Sequence, residues 1–184
     1  MFYDACVVYP APLRDILVEL ACCGLFRAKW TARVHDEWIR NLLERRPDLD
    51  SARLEITASK MNAAVMDSVV EGYEPLGAGL VLPDPDDVHV LAAAIHSHCS
   101  AIITTNLKDF PAAALEPFGI EAQHPDDFIH HQFDLHTPSV ILAAKACRAR
   151  LIRKPKTEEQ YLAILEAQGL TQTVARLRDY QSVL

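Results

Sequence analysis

No apolar run among the 184 residues approaches the length needed to cross a bilayer, so a membrane span is not expected. The opening residues MFYDACVVYP have neither the basic start nor the long apolar stretch of a secretory signal, and the expected location is the cytoplasm. Cysteine is sparse: Cys6, Cys22, Cys23, Cys99 and Cys147 are odd in number and form no CxxC pair. That pattern suits reduced, mostly buried thiols and not a disulfide framework. Basic residues are outnumbered, 18 Lys and Arg against 25 Asp and Glu, giving a formal charge of −7. The balance argues against a protein that coats nucleic acid through a broad basic surface. It is compatible with an enzyme acting on RNA, because part of the acidic excess can be site carboxylates offset by bound cations. No GxGxxG follows the first strand, which removes a dinucleotide-binding reading. An aspartyl phosphatase usually has a second Asp two residues after the first, and Cys6 stands there instead. Internal repeats and low-complexity segments are also missing.

What is present centres on residues 82–110, LPDPDDVHVLAAAIHSHCSAIITTNLKDF. Asp84 suits a helix N-cap and Pro85 the first helical position, where a missing N–H costs nothing. Asp86 and Asp87 then fall in the first turn, near the positive end of the helix dipole. Val90, Leu91, Ala94 and Ile95 recur at helical spacing, and Asp87 shares their inward face. A carboxylate there is expensive unless something neutralises it. Ala101 to Thr104 reads as a short buried strand, and Asn106 and Asp109 follow it. In open α/β sheets, ligands bind at such carboxyl strand ends.

Phe2 to Tyr9 reads as an apolar central strand interrupted by Asp4. Asp4 either caps a neighbouring loop or is a buried charge with a partner or a metal. Leu13, Leu17, Leu20 and Ala21 mark a helix that stops at Gly24, and Phe26 to Trp30 a second short strand. Thr31 caps a helix carrying Val34, Trp38 and Leu42, with Glu37 on the shoulder of its buried face. Taken alone, Glu37 reads as a surface partner of Arg40 or Asn41. Leu54 to Val69 defines a long helix reaching about Glu71, and Gly119 to Ala122 an edge strand. From Thr137 onward only helices are expected, with a capping box at Thr157 and Gln160 and a cap at Thr171. The domain division is placed at 1–136 and 137–184. The run Lys145, Arg148, Arg150, Arg153, Lys154 and Lys156 is either a solvated face or a contact for RNA or an acidic partner.

Alternating strands and helices predict an α/β fold with a mostly parallel sheet between helical layers. Such a sheet can gather Asp4, Glu37, Asp87 and Asp109 at one rim. Converging carboxylates raise one another's pKa, and a hard divalent cation resolves that conflict. Mg²⁺ or Mn²⁺ suits carboxylate, amide and water ligands. Zinc does not, because His96, His98 and Cys99 diverge on a helix and no His or Cys joins the cluster.

DACVVYPAPLRD at 4–15, HDEWIRNLL at 35–43, LPDPDDVHVLAAA at 82–94 and TTNLKDFP at 104–111 together resemble the PIN-domain family, in particular its bacterial toxin–antitoxin branch. The resemblance covers about residues 1–135, and the C-terminal helices look like an extension found in that branch. It implies a three-layer α/β/α fold and a ribonuclease dependent on Mg²⁺ or Mn²⁺. Asp4, Glu37, Asp87 and Asp109 match the acidic quartet, and Asn106 the polar position beside it. Asp4, Asp87 and Asp109 would bind the metal, with Asp86 helping through water. Glu37 would hold a water of the metal shell or orient the attacking one. Cleavage would leave a 5′-phosphate and a 3′-hydroxyl. Arg14 and Arg33 are candidate RNA contacts. The expected partners are RNA, a cognate antitoxin and a second copy of the chain. The competing reading is a PIN-like module that binds RNA or a partner without cutting it.

Overall fold

A computed structural model describes all residues, 1–184. In chain order the elements are β1 (Phe2–Tyr3), α1 (Ala5–Val8), α2 (Ala11–Cys22), α3 (Ala32–Arg45), α4 (Ser51–Ala64), α5 (Val88–His96), β2 (Ala101–Ile103), α6 (Ala112–Leu115), β3 (Glu121–Gln123), α7 (Pro125–Ala149), α8 (Glu158–Glu166) and α9 (Thr171–Arg178). Short 3₁₀ turns join several of them. The chain forms two compact units, Met1–Tyr9 with Arg27–His124, and Pro10–Phe26 with Pro125–Leu184.

The first unit is built on a parallel sheet of order β1-β2-β3, with Phe2 opposite Ile102 and Ile103 opposite Gln123. β2 is fully buried, as an apolar strand between two neighbours should be. Single bridges extend the pairing from Phe2 to Lys29 and from Trp30 to Val69. α5 buries Val90, Leu91 and three alanines, whose small side chains allow it to lie close to the strands. Thr31 caps α3 by accepting from the Val34 amide at 3.2 Å. Trp38 donates to Nδ1 of His35, so His35 carries its proton on Nε2 and gives it to Oδ1 of Asn62. Trp30 donates to the same oxygen. Two buried indoles, each contributing roughly 1.5–3 kcal/mol by burial, thus keep their N–H groups satisfied and tie α3 to α4.

In the second unit α2 packs on α7, and α7 on α9. Thr157 and Gln160 form the expected capping box at α8, and Gly169 ends the turn after it at φ +82°. α9 is capped differently from expectation. Thr171 is its first residue, and Asp126 from α7 accepts from the Thr173 and Gln172 amides. The compact units divide between His124 and Pro125, not near 136. Residue 136 is instead a kink within α7, two residues before Pro138. The apolar stripe of α2 needs a helical partner, which places residues 10–26 with the C-terminal helices.

Two expectations on element length also change. The first strand stops at Tyr3, because Asp4 is the N-cap of a one-turn helix. The fourth helix stops at Ala64, because residues 68–70 pair with Trp30.

Candidate active site

Asp4 leaves β1 in extended conformation and makes no side-chain cap bond to α1, so its carboxylate is available elsewhere. Parallel pairing with β2 brings Thr104 alongside. Thr104 donates to Oδ2 of Asp4 at 2.8 Å and accepts from the Asn106 amide at 2.9 Å. The Cys6 thiol donates to the same Asp4 oxygen at 2.9 Å, while its sulfur accepts from the amide and hydroxyl of Thr105. Burial first, and the charge of Asp4 second, push the Cys6 pKa up to about 12. It is therefore a protonated donor, not a nucleophile.

The turn at Asp84-Pro85 delivers the second set. Asp84 caps it, accepting from the Asp86 amide at 2.9 Å. One carboxylate oxygen each from Asp84, Asp87 and Asp109 lie within 4.8 Å of one another. Asn106 donates its side-chain amide to Oδ2 of Asp109 and fixes that carboxylate. Asp87 is pushed up to about 7 by burial and by the charges of Asp4, Asp84, Asp109 and Glu37. So many oxygens with mutually repelling charge fit a hard divalent cation, and Asp84, Asp87 and Asp109 would hold it. Asp4 and Asp86 line the adjoining cleft without joining that trio.

Glu37 comes from the first half of α3. It pairs with Arg33 at 3.0 Å, and Nε2 of the buried His89 lies 3.0 Å from the same oxygen. Burial alone would raise the Glu37 pKa; His89 and then Arg33 override it and hold the carboxyl below its ordinary value. Arg33 also donates to the Asp86 carbonyl at 3.3 Å.

These groups open on a cleft of about 800 Å³ that continues along α3 past Arg40, Asn41 and Arg45 to Tyr9. Asp4, Glu37, Asp87, Arg33 and Asn106 all line it. Arg14 does not. It belongs to the second unit, buried beside Asp15 at 3.9 Å, and burial lowers its pKa.

The family model described as PIN domain matches residues 1–108. The chain belongs to the PIN-domain family. A second family model, VapC50 C-terminal domain, matches residues 125–179 and begins where the second stretch of the C-terminal unit begins, whereas the PIN match includes residues 10–26 of that same unit. One curated relative, named "Putative ribonuclease VapC50" from Mycobacterium tuberculosis (strain ATCC 25618 / H37Rv), is 54% identical over 59 residues. The aligned part is 30% of this chain and 35% of that relative, so it spans about a third of each. No solved structure matches the chain.

Within this PIN domain, sequence reasoning left out Asp84, His89, Thr104 and Cys6. Asp84 was assigned only to capping, yet a cap needs one carboxylate oxygen and leaves the other free. Thr104 follows a strand end directly, a position from which its side chain reaches Asp4, the residue just after the neighbouring strand. His89 lies among Val88, Val90 and Leu91 and carries no local sign of its contact with Glu37.

Proposed function

We propose that this PIN-domain protein is a divalent-cation-dependent endoribonuclease and the toxin of a toxin–antitoxin pair, acting in the cytoplasm and held silent by its antitoxin. The observation that supports this reading best is the trio Asp84, Asp87 and Asp109, with Asp87 raised toward neutrality by burial and by the carboxylates gathered around it. A structural cluster would place cations among them, as Arg33 stands against Glu37. The relative's name and the family supply the substrate class.

A bound Mg²⁺ or Mn²⁺ supplies stabilisation of the charge that builds on the phosphate oxygens. Asp84, Asp87 and Asp109 would hold it. Asp4, fixed by Thr104 and Cys6, adds negative charge on the cleft side and would favour a cation at the strand ends. Glu37, ionised at neutral pH, accepts a hydrogen bond from a water and aims the oxygen of that water at phosphorus. That oxygen bonds to phosphorus as the bond to the 3′-oxygen breaks. The departing 3′-oxygen takes a proton from solvent, and the water proton passes to Glu37 and on to solvent. Asn106 orients Asp109.

The test is cleavage of single-stranded RNA with Mg²⁺ or Mn²⁺ against chelator, for the natural chain and for Asp4→Asn and Asp87→Asn. Cation-dependent cutting that both substitutions remove is expected. Equal cutting by all three proteins would overturn the site, and absence of cutting with RNA binding retained would favour a silent binding module.

A further inference from the structure

The cleft is longer than cleavage of one bond requires. Arg33 and Arg45 both line it, and the offset of twelve helical positions from one to the other corresponds to about 18 Å along α3. The carboxylates occupy one end. At the other stands Tyr9, half-buried, with its backbone N–H bonded to the Ala5 carbonyl at 2.9 Å. The Arg45 guanidinium lies over the Tyr9 ring, 5.5 Å from its centre. Arg45 and Arg40 are exposed and form no ion pair, unlike Arg33, which is committed to Glu37. Asn41 and Glu44 line the same stretch.

We infer that this end is a nucleotide subsite. An unpaired base of the RNA stacks on the face of Tyr9, and Arg45 swings from the ring to the phosphate beside that base. Arg40 meets the next phosphate. The proposal rests on the reading of the cleft as an RNA-cutting site. Three features carry it. The Tyr9 side chain is half-buried, and the cation over its ring, Arg45, is exposed. Stacking of a base on an aromatic ring is stronger than an exposed cation–π contact, so the exchange is favourable. The acidic end repels phosphates unless a cation is present, so the uncommitted arginines at the far end must supply the backbone contacts. Glu44 disfavours simple polyanions there, which makes the base face the selective element.

The experiment measures binding of a short fluorescent single-stranded RNA, with Mg²⁺, to protein carrying Asp4→Asn so that it is not cut. Poly-glutamate serves as an anion without bases. Tyr9→Ala should weaken RNA binding about tenfold, the loss of one stacked base, while Tyr9→Phe stays within about twofold because the π face remains. Arg45→Ala should weaken binding less and flatten its salt dependence by about one phosphate contact. Thermal unfolding of each variant shows that the fold is kept. In the otherwise natural chain, Tyr9→Ala should raise KM and leave kcat nearly unchanged. Unchanged RNA binding in Tyr9→Ala and Arg45→Ala overturns the subsite. So does poly-glutamate binding with the same dependence on Tyr9, which would make the groove a site for acidic peptide. If RNA binding depends on Tyr9 but the natural chain cuts nothing, the subsite stands and the hydrolytic reading falls. If cutting is normal and Tyr9 has no influence on KM, the reading stands and the subsite falls.

Discussion

Asp87 in the first unit and Asp126 in the second are both aspartates at helix starts, and their surroundings treat them in opposite ways. Asp126 accepts from the Thr173 amide at 2.9 Å, the Gln172 amide at 2.8 Å and the Thr171 hydroxyl at 3.2 Å. Burial would raise its pKa, but those donors hold it below the ordinary carboxylate range. Asp87, half-buried, meets carboxylates instead of donors, and burial together with their charges raises it to about 7. A fold that can satisfy one buried-side aspartate so fully has not left the other uncompensated for want of donors. The strain at Asp87 is the kind that a ligand relieves, and the contrast gives the acid cluster its functional meaning.

The contrast breaks most visibly in activity. Asp87→Asn should lower cleavage by about 10²–10³-fold, the scale of losing one strong electrostatic contact to the reacting phosphate. The same variant should make the cation-free protein more stable at pH 8, since it removes a repelling charge. Loss of both activity and stability would show that Asp87 serves the fold. RNA cleavage assays with thermal unfolding in chelator separate the two.

Asp126→Ala should do the reverse. Removing an acceptor shared by two amides and a hydroxyl at the start of α9 should cost about 2–3 kcal/mol of stability. Because its folded pKa is depressed, this contribution is present above the unfolded value near 3.8 and is lost as pH falls through the folded one. Denaturant unfolding at pH 7 and at acid pH checks both. Equal stability of natural and substituted chains at pH 7 would remove the lock.

A smaller effect tests the repulsion itself. Asp87 rises from 3.8 to about 7, so cation-free protein is favoured by this group below pH 3.8 and loses that advantage as pH rises through about 7. A fully enclosed group would carry about 4 kcal/mol. Solvent screening at this half-buried carboxyl leaves about 1–2 kcal/mol, a few degrees in Tm for a chain of this size. Adding Mg²⁺ should restore the loss at pH 8 in the natural chain and not in Asp87→Asn. A Tm indifferent to both pH and Mg²⁺ would mean that the carboxylates do not act as a cation site.

These two aspartates also mark how far the sequence could be read. Local chemistry was legible: the Asp84-Pro85 start, the Thr31 cap and the Thr157–Gln160 box all depend on residues within four positions, and all are present. So was the order of strands and helices that brings Asp4 and Thr104 to one rim. Partners distant in sequence were hidden. Asp126 caps a helix 45 residues or more away, and nothing near Thr171 announces it. The apolar run Phe2–Tyr9 could be strand or helix by pattern alone, and tertiary packing decided against a long strand. The helix expected to reach Glu71 loses its last turns to pairing with Trp30, a competition that only the folded chain reveals.

The smallest effect concerns His89, whose role no spacing rule discloses. Its imidazole lies 3.0 Å from Glu37 and, together with Arg33, holds that carboxyl low. His89→Ala leaves Arg33 alone against the burial penalty, so the Glu37 pKa should rise. Cleavage at pH 7 should fall by up to about tenfold, within the range of a mispositioned acid–base group. The acid limb of the kcat/KM profile should move to higher pH, and activity should recover as pH increases. A space-filling role alone would lower activity equally at every pH and leave the limb in place. Arg33→Ala should move the limb in the same direction but less, since Arg33 is more exposed and its contact is screened by water. If Arg33→Ala moves it further than His89→Ala, the exposed guanidinium sets the charge of Glu37 and the buried imidazole only packs.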